Sequence, residues 1–276
     1  MNLVTKGYIK PYNRFRLQRL VELCDIYAPS KQEEPVAQYV APLLAQYCHR
    51  IERDDAGNLC AWRKGDVSAD TVLLCCHMDT VFFPEIERFF MVNDGYLRLD
   101  KNKLPLEPDR GGRRPAVLGG DDRAGIEVIL SVLETYIGPL NLRILLTTRE
   151  EIGGEGMHDV DKSFLEGVNF GLVLDRRNSG DIISRIERVT LASKPLVNYV
   201  YRCGETQGIR DLRETVGAFS DAYFLARRNR IQCLNLSVAY YYPHTALEII
   251  DLYAFDDCVG WVMRILDDYQ PEHLLP

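Results

Sequence analysis

Histidines and carboxylates in this sequence fall where apolar runs stop, and any chemistry it carries must start from that placement. Residues 72–76, VLLCC, lead into His77-Met78-Asp79; residues 142–148 lead to Glu150-Glu151; residues 170–174 lead into Asp175. Asp121 follows Gly119-Gly120 at the opening of a helical stretch, and His244 follows Tyr240-Tyr241-Tyr242-Pro243. Imidazole and carboxylate are donors that divalent cations such as zinc accept. Glu150 and Glu151 repel one another without a compensating cation, and such a pair is useful when one binds metal while the other moves protons. His77 and Asp79 stand two apart and so share a side of a strand, which lets Asp79 orient the imidazole through its second nitrogen. Each feature also has a plainer reading: HMD as a polar strand end, the Glu pair as a solvated loop, and Asp as an ordinary helix cap. The cap reading is kept for Asp122 and set aside for Asp121.

The elements that position these residues are legible as periods. Leu17, Leu20, Val21, Cys24 and Ala28 lie on one helical face that ends at Pro29. Ser30 and Glu33 have the spacing of a capping box, with Val36, Tyr39, Val40, Leu43, Leu44 and Tyr47 lining a second helix behind them. Strands are expected at residues 58–63, 71–76, 142–148, 170–175 and 232–238, and helices at 122–136 and 246–269. Residues 82–109 alternate weakly around Asn93-Asp94-Gly95 and read as a hairpin-like excursion, followed by a glycine-rich loop at 110–114. Strands alternating with helices predict an α/β three-layer sandwich, α/β/α, around a central mixed, mostly parallel sheet, with ligands beyond the carboxyl ends of its strands. No repeat, low-complexity tract or proline-rich linker divides the chain, so residues 1–276 are expected to form a single domain.

Composition narrows the partners. With 40 acidic and 33 basic residues the net charge is -7, and the absence of any long Lys/Arg block argues against nucleic acid and anionic membrane. The eight cysteines form no CxxC pairs, and several fall inside apolar runs, as expected for reduced core thiols. The N-terminal stretch lacks an apolar signal region, and no run of 18 apolar residues appears. The expectation is a soluble, cytoplasmic protein.

Taken in order, CCHMDTV, LGGDDRAG, LLTTREEIGGEG, LVLDRR and YYYPHTALEIIDL resemble the co-catalytic two-zinc exopeptidases, the group of bacterial aminopeptidases, peptidase T and glutamate carboxypeptidases. SKQEEPVAQYV and RDDAGNL also look like that group's N-terminal region, so the resemblance runs from about residue 14 to the last helix. It implies two divalent ions, zinc first, with cobalt or manganese as alternatives. By matching position, His77 and Asp175 hold one ion, Glu151 and His244 the other, and Asp121 bridges them. Glu150 is then the general base and Asp79 orients His77. The implied activity is cleavage of a terminal peptide bond, with aminopeptidase as the first expectation. Carboxypeptidase or N-acyl amino acid amidase on the same scaffold is the alternative, and a non-catalytic binding domain is a third.

Only 69 positions separate Asp175 from His244 and 44 separate His77 from Asp121, which leaves no room for the lid or dimerisation domain that some relatives insert. The organisation is most similar to the lidless single-domain aminopeptidases. Arg176, with Arg177 beside it, is the candidate to grip a substrate carboxylate, though pairing with a nearby acid is an equal reading. Ser220-Asp221 reads either as a pocket segment or as a cap on residues 222–227. His49, His158 and His273 read as solvated. Substrate identity and oligomeric state stay open.

Overall fold

The computed structural model describes residues 3–6, 14–66, 69–104 and 116–274. The glycine-rich loop expected at 110–114 lies outside the described residues. The chain opens with β1 (Leu3–Lys6), α1 (Arg14–Asp25) and α2 (Glu34–Leu44). Strands β2 (Arg50–Arg53), β3 (Leu59–Arg63) and β4 (Thr71–His77) follow, then β5 (Phe90–Asn93) and β6 (Tyr96–Leu99). Helix α3 (Gly120–Thr135) leads to β7 (Asn141–Thr147), the short helices α4 (Glu155–His158) and α5 (Lys162–Leu165), and β8 (Phe170–Arg176). After these come β9 (Asp181–Ile186), β10 (Val189–Thr190), α6 (Lys194–Gln207), β11 (Arg213–Gly217), α7 (Asp221–Arg227) and β12 (Cys233–Ser237). Strands β13 (Tyr240–Tyr241) and β14 (Ile249–Asp251) precede the closing helix α8 (Leu252–Asp267).

The main sheet has the order β10-β9-β12-β8-β4-β7-β3-β2, with β11 also paired to β9. Its centre, β12-β8-β4-β7, is parallel, and antiparallel strands flank it, which is the mixed sheet expected. Strand alternation explains why both faces are covered. On β4, Val72, Leu74 and Cys76 enter a large core with α1, α3, α6 and α8, while Leu73 and Cys75 enter a second core with α4, α5 and α7. β8 repeats the pattern, with Phe170, Leu172 and Leu174 on the first side and Val173 on the second. A strand buried on both faces must be apolar throughout, as these two are, and the result is three layers. Eight buried cysteines are present as free thiols. Among the described residues no helix is long and apolar enough to cross a membrane.

A second sheet, β1-β5-β6-β14-β13, packs its Phe90, Val92, Leu97 and Leu99 onto the larger core. The β5–β6 turn uses Asp94 and Gly95 at φ 53° and 85°, the left-handed pair that a tight hairpin needs. The closing helix starts later than expected. Ile249 and Ile250 pair with Arg98 and Leu97 as a strand, and the Asp251 carboxylate accepts from Tyr253 N at 3.0 Å and Ala254 N at 3.1 Å, capping the helix. Two β-branched residues followed by a capping Asp stop the helical period that residues 246–248 otherwise extend.

Gly125 sets how closely α3 lies on the sheet. A Cβ there would sit 2.1 Å from Leu174 O and 2.5 Å from Asp122 Oδ1. Gly125→Ala is therefore expected to lower stability by about 1–3 kcal/mol, the usual cost of overpacking. Urea unfolding reads this directly, and an unchanged midpoint would show that α3 has slack against β8.

Candidate metal centre

Because β4, β7 and β8 are parallel neighbours, their carboxyl ends open on one rim. His77 is the last residue of β4, Asp175 lies at the end of β8, and Glu150-Glu151 follow β7. The α3 N-terminus brings Asp121 to the same place, and the β13–β14 connection brings His244. His77 Nε2 lies 3.0 Å from Asp121 Oδ1 and 3.6 Å from Asp175 Oδ1. His244 Nε2 lies 3.2 Å from Asp121 Oδ2 and 2.8 Å from Glu151 Oε1. Asp121 thus spans the two histidines with its two oxygens. Asp121, Glu150, Glu151, Asp175 and His244 line a cleft of about 510 Å³, with His77 buried behind them.

The charge of this cluster needs a counterweight. Asp121, Asp122, Glu150, Glu151 and Asp175 crowd one buried corner, and among the described residues no Lys or Arg forms an ion pair with any of them. Burial pushes Glu150 well above the usual carboxylate range, with the neighbouring Asp175 adding to it. Burial also raises Asp175 and Glu151, and raises Asp122 strongly. Burial opposes the charged form of His77, but its hydrogen bonds to Asp121, Asp175 and Asp79 outweigh that and hold its pKa well above normal. The Asp121 and Glu151 carboxylates push His244 up to about 10. Glu151 Oε1 is buried and forms no hydrogen bond, with His244 Nε2 2.8 Å away as an ion-pair partner.

Orphaned oxygen, converging imidazoles and unbalanced negative charge are what a divalent cation site presents before its ions are counted. His77, Asp121 and Glu151 offer ligand atoms within 4.8 Å of one another, as do His77, Asp122 and Asp175. Asp122 is engaged elsewhere: Oδ1 accepts from Gly125 N at 3.0 Å and Oδ2 from His77 N at 3.3 Å. The first contact is the helix cap expected of it. The remaining donors, two imidazoles and three carboxylates, suit a divalent-cation site.

Asp79 acts on more than His77. His77 Nδ1 meets the Asp79 backbone carbonyl at 3.0 Å and its carboxylate at 3.5 Å. The carboxylate itself accepts from Glu150 N at 3.0 Å and Glu151 N at 3.1 Å, so it fixes the turn that carries both glutamates. The capping box expected at Ser30 and Glu33 is not formed. Ser30 donates its hydroxyl to Asp79 Oδ2 at 2.6 Å, and Glu33 accepts from Arg149 N at 2.9 Å. Ser30 N pairs with Thr80 O, which draws Ser30 away from the helix and towards the site.

No protein-family model matches the chain. It is 29% identical over 155 residues to the cytosol non-specific dipeptidase of Escherichia coli (strain K12), a match that covers 52% of this chain and 30% of that protein. Solved structures match far more of it. Aminopeptidase PepT from Bacillus cereus ATCC 10987 superposes with a TM-score of 0.78 at 17% identity, covering 93% of this chain and 99% of that one. A Staphylococcus aureus tripeptidase gives 0.77 at 16% identity over 93% and 98%. An aminopeptidase from the archaeon Desulfurococcus kamchatkensis gives 0.71 at 18% identity over 95% and 98%. The chain has the fold of these aminopeptidases.

Within that aminopeptidase fold several supports escape a sequence reading. Glu248 is buried and accepts from Gly119 N at 2.8 Å and Asp121 N at 3.0 Å, holding the turn that presents Asp121. Tyr240 donates its hydroxyl to Asp175 Oδ1 at 3.1 Å. Asn235 grips both backbone groups of Asp175, accepting from its N at 3.2 Å and donating to its O at 3.1 Å. An acid inside the apolar stretch ALEII was the one available signal, and it points to Glu248. Of the weaker candidates Arg176 lines the same cleft, and the others take partners outside the cluster. Arg176 Nε pairs with Asp181 at 3.0 Å, His158 with Asp159 at 2.6 Å, and His273 stacks on Tyr199 at 3.9 Å. His49 is exposed, and Asp221 is buried below the site, accepting from Thr147 Oγ1 at 2.5 Å.

Removing Glu248 leaves two buried N–H groups without acceptors, at about 1–3 kcal/mol each. Glu248→Ala is expected to lower the urea midpoint and to weaken metal binding, because Asp121 loses its support. Glu248→Gln keeps one acceptor and should fall between the two. Equal metal affinity in all three proteins would show that Glu248 does not position Asp121.

Proposed function

We propose that this chain is a two-metal exopeptidase that removes residues from the amino end of peptides, working as a single domain without a lid. The observation that carries the reading is the position of Glu150. It lines the cleft beside the donor cluster, and its own backbone N–H is anchored on Asp79, leaving the carboxylate unengaged by hydrogen bonds among the described residues. That is the placement a proton carrier needs: next to the reacting atoms and outside the ligand set.

His77 and Asp175 would hold one ion, Glu151 and His244 the other, and the two oxygens of Asp121 would serve both. A donor set of imidazole and carboxylate without thiolate suits zinc, and also cobalt or manganese. Ions held there would supply Lewis acidity for activating a water and a carbonyl. Glu150 takes the proton of the attacking water and returns it to the leaving amine. Asp79 accepts from both backbone N–H groups and so holds the turn from which Glu150 would move the proton and Glu151 would hold an ion. Asn235 and Tyr240 keep Asp175 aimed into the cleft. Buried free thiols and the dipeptidase relative named for the cytosol support a cytoplasmic setting.

Two experiments test the reading. Glu150→Gln should abolish turnover while elemental analysis still finds about two ions per chain, whereas Glu151→Gln should lose metal. Near-normal kcat in Glu150→Gln would remove its role as base. Separately, acetylating the amino terminus of a peptide substrate should stop cleavage, while amidating the carboxyl end should leave it cleavable. The opposite pattern would make the protein a carboxypeptidase, and release of acetate from an acetyl-amino acid alone would make it a deacylase.

A further inference from the structure

Strand β7 carries a cation where an apolar residue is the rule: Arg143 stands between Leu142 and Ile144, with β3 and β4 on either side of the strand. Register places it in a row. Arg50 of β2 pairs with Trp62 of β3, and Trp62 pairs with Arg143, so the three side chains share one face of the sheet. Both guanidiniums lie over the one indole, Arg50 at 4.4 Å and Arg143 at 5.4 Å from its centroid, and Phe164 of α5 meets the same ring edge-on at 4.8 Å. Arg143 makes no hydrogen bond or ion pair among the described residues, and its Nε is buried without an acceptor.

This row lines a cleft of about 290 Å³ that shares no lining residue with the metal site. Arg143 is near the amino end of β7, whereas Glu150 and Glu151 follow its carboxyl end. The carboxylates of the smaller cleft are already taken. Asp54 accepts from Asn58 N at 2.9 Å and Asn58 Nδ2 at 2.8 Å, Asp161 accepts from Ser163 N at 2.8 Å, and Glu52 pairs with Arg50 on the exposed surface. The aromatic rings attract the Arg143 guanidinium, but a second positive charge on the same indole works against it. Burial and the neighbouring Arg50 together hold Arg143 below the usual guanidinium range. A partly buried cation in this position lacks a counter-charge.

We infer that this cleft binds a phosphate group, either free or as the ester of a small molecule. Arg143 supplies an unoccupied guanidinium fork. Arg50 supplies a second, because an exposed pair such as Arg50–Glu52 holds its partners weakly and a dianion competes well for the cation. The exposed hydroxyl of Ser163 also lines the cleft and has no hydrogen bond among the described residues. Two forks and a hydroxyl match the many acceptor positions of a tetrahedral dianion, whereas one fork satisfies a carboxylate. The volume is at the small end for ligand sites and suits a phosphate with a short group attached.

Trp62 and the fully buried Trp261 are the only tryptophans, so Trp62 reports on this cleft. Metal-loaded protein is titrated with inorganic phosphate, and separately with glycerol phosphate, at constant ionic strength while tryptophan emission is followed. Emission should saturate with a Kd of about 1 mM or tighter, and the tighter of the two anions identifies the source. Arg143→Gln should weaken binding by about tenfold or more, the worth of a hydrogen bond to a charged group, and Arg143→Lys should keep part of it. Removing an unpaired cation should leave the urea midpoint in chloride unchanged or higher, which separates loss of the site from loss of the fold. Phosphate should then raise the midpoint of the wild type more than that of Arg143→Gln. If neither anion gives saturation or extra stabilisation in the wild type, the site is overturned, as it is by a response unchanged in Arg143→Gln. A response lost in Glu151→Gln and kept in Arg143→Gln puts the phosphate at the metal centre and overturns the site as well.

Discussion

Five carboxylates crowded with two imidazoles, the buried His77 and the exposed His244, at one rim of the sheet constrain everything else in this molecule. Like charges at this density cannot all remain ionised in a dry environment, and without cations the cluster relieves itself by holding protons, which is why burial pushes Glu150 and Asp122 so far up. Such a corner is stable only with positive charge inside it. The buried guanidinium of Arg123, next to Asp122 in sequence, is engaged elsewhere, with Nε on Leu23 O at 3.2 Å and Nη1 on Met78 O. Within the protein that charge comes from the His77 and His244 imidazoles, which hold their protons more tightly than a free imidazole does.

The fold meets this constraint with backbone dipoles. Asp79 and Glu248, themselves acids, accept four main-chain N–H groups between them, from Glu150, Glu151, Gly119 and Asp121. Each fixes a turn that carries a site residue. The neutral amide of Asn235 does the same for Asp175, and that of the buried Asn58 accepts from Thr148 N at 3.0 Å and donates to Gly156 O at 2.9 Å, bracing the loop that bears both glutamates. Ser30 and Glu33 were spaced to cap a helix, and the tertiary structure draws both into the same network. Local propensity yields here because a buried carboxylate lacking a donor costs more than an exposed helix end lacking a cap.

What the sequence made legible follows from the same physics. Central parallel strands buried on both faces must be apolar runs, and their ends must be polar, so β4, β7 and β8 could be read together with the residues they deliver. Edge elements carry no such mark. β11, RETVG, has an exposed and unpatterned surface, and β13 and β14 are too short to show a period. Of the second sheet only the β5–β6 hairpin was legible in sequence, because the sheet joins strands from three distant segments, β1, β5–β6 and β13–β14. α6 did carry helical spacing in Leu196, Val200 and Cys203, and its absence from the expected elements reflects an unread signal and not an absent one. Glu248 and Asn235 stayed hidden because a single polar residue in an apolar run does not say which backbone group it will meet.

The two arginines after Asp175 show how far residue type alone can carry an argument. In sequence they are equivalent, adjacent and equally suited to a carboxylate. Tertiary structure separates them through a third residue, Asp181, whose complete burial demands compensation and which takes Arg176 and Arg213 together. An acid that must be neutralised inside the wall thereby decides which cation remains available at the surface of the cleft. The charge facing a substrate is set by what the interior has already taken up, so a cleft's specificity cannot be read from its lining without also accounting for the ion pairs behind it.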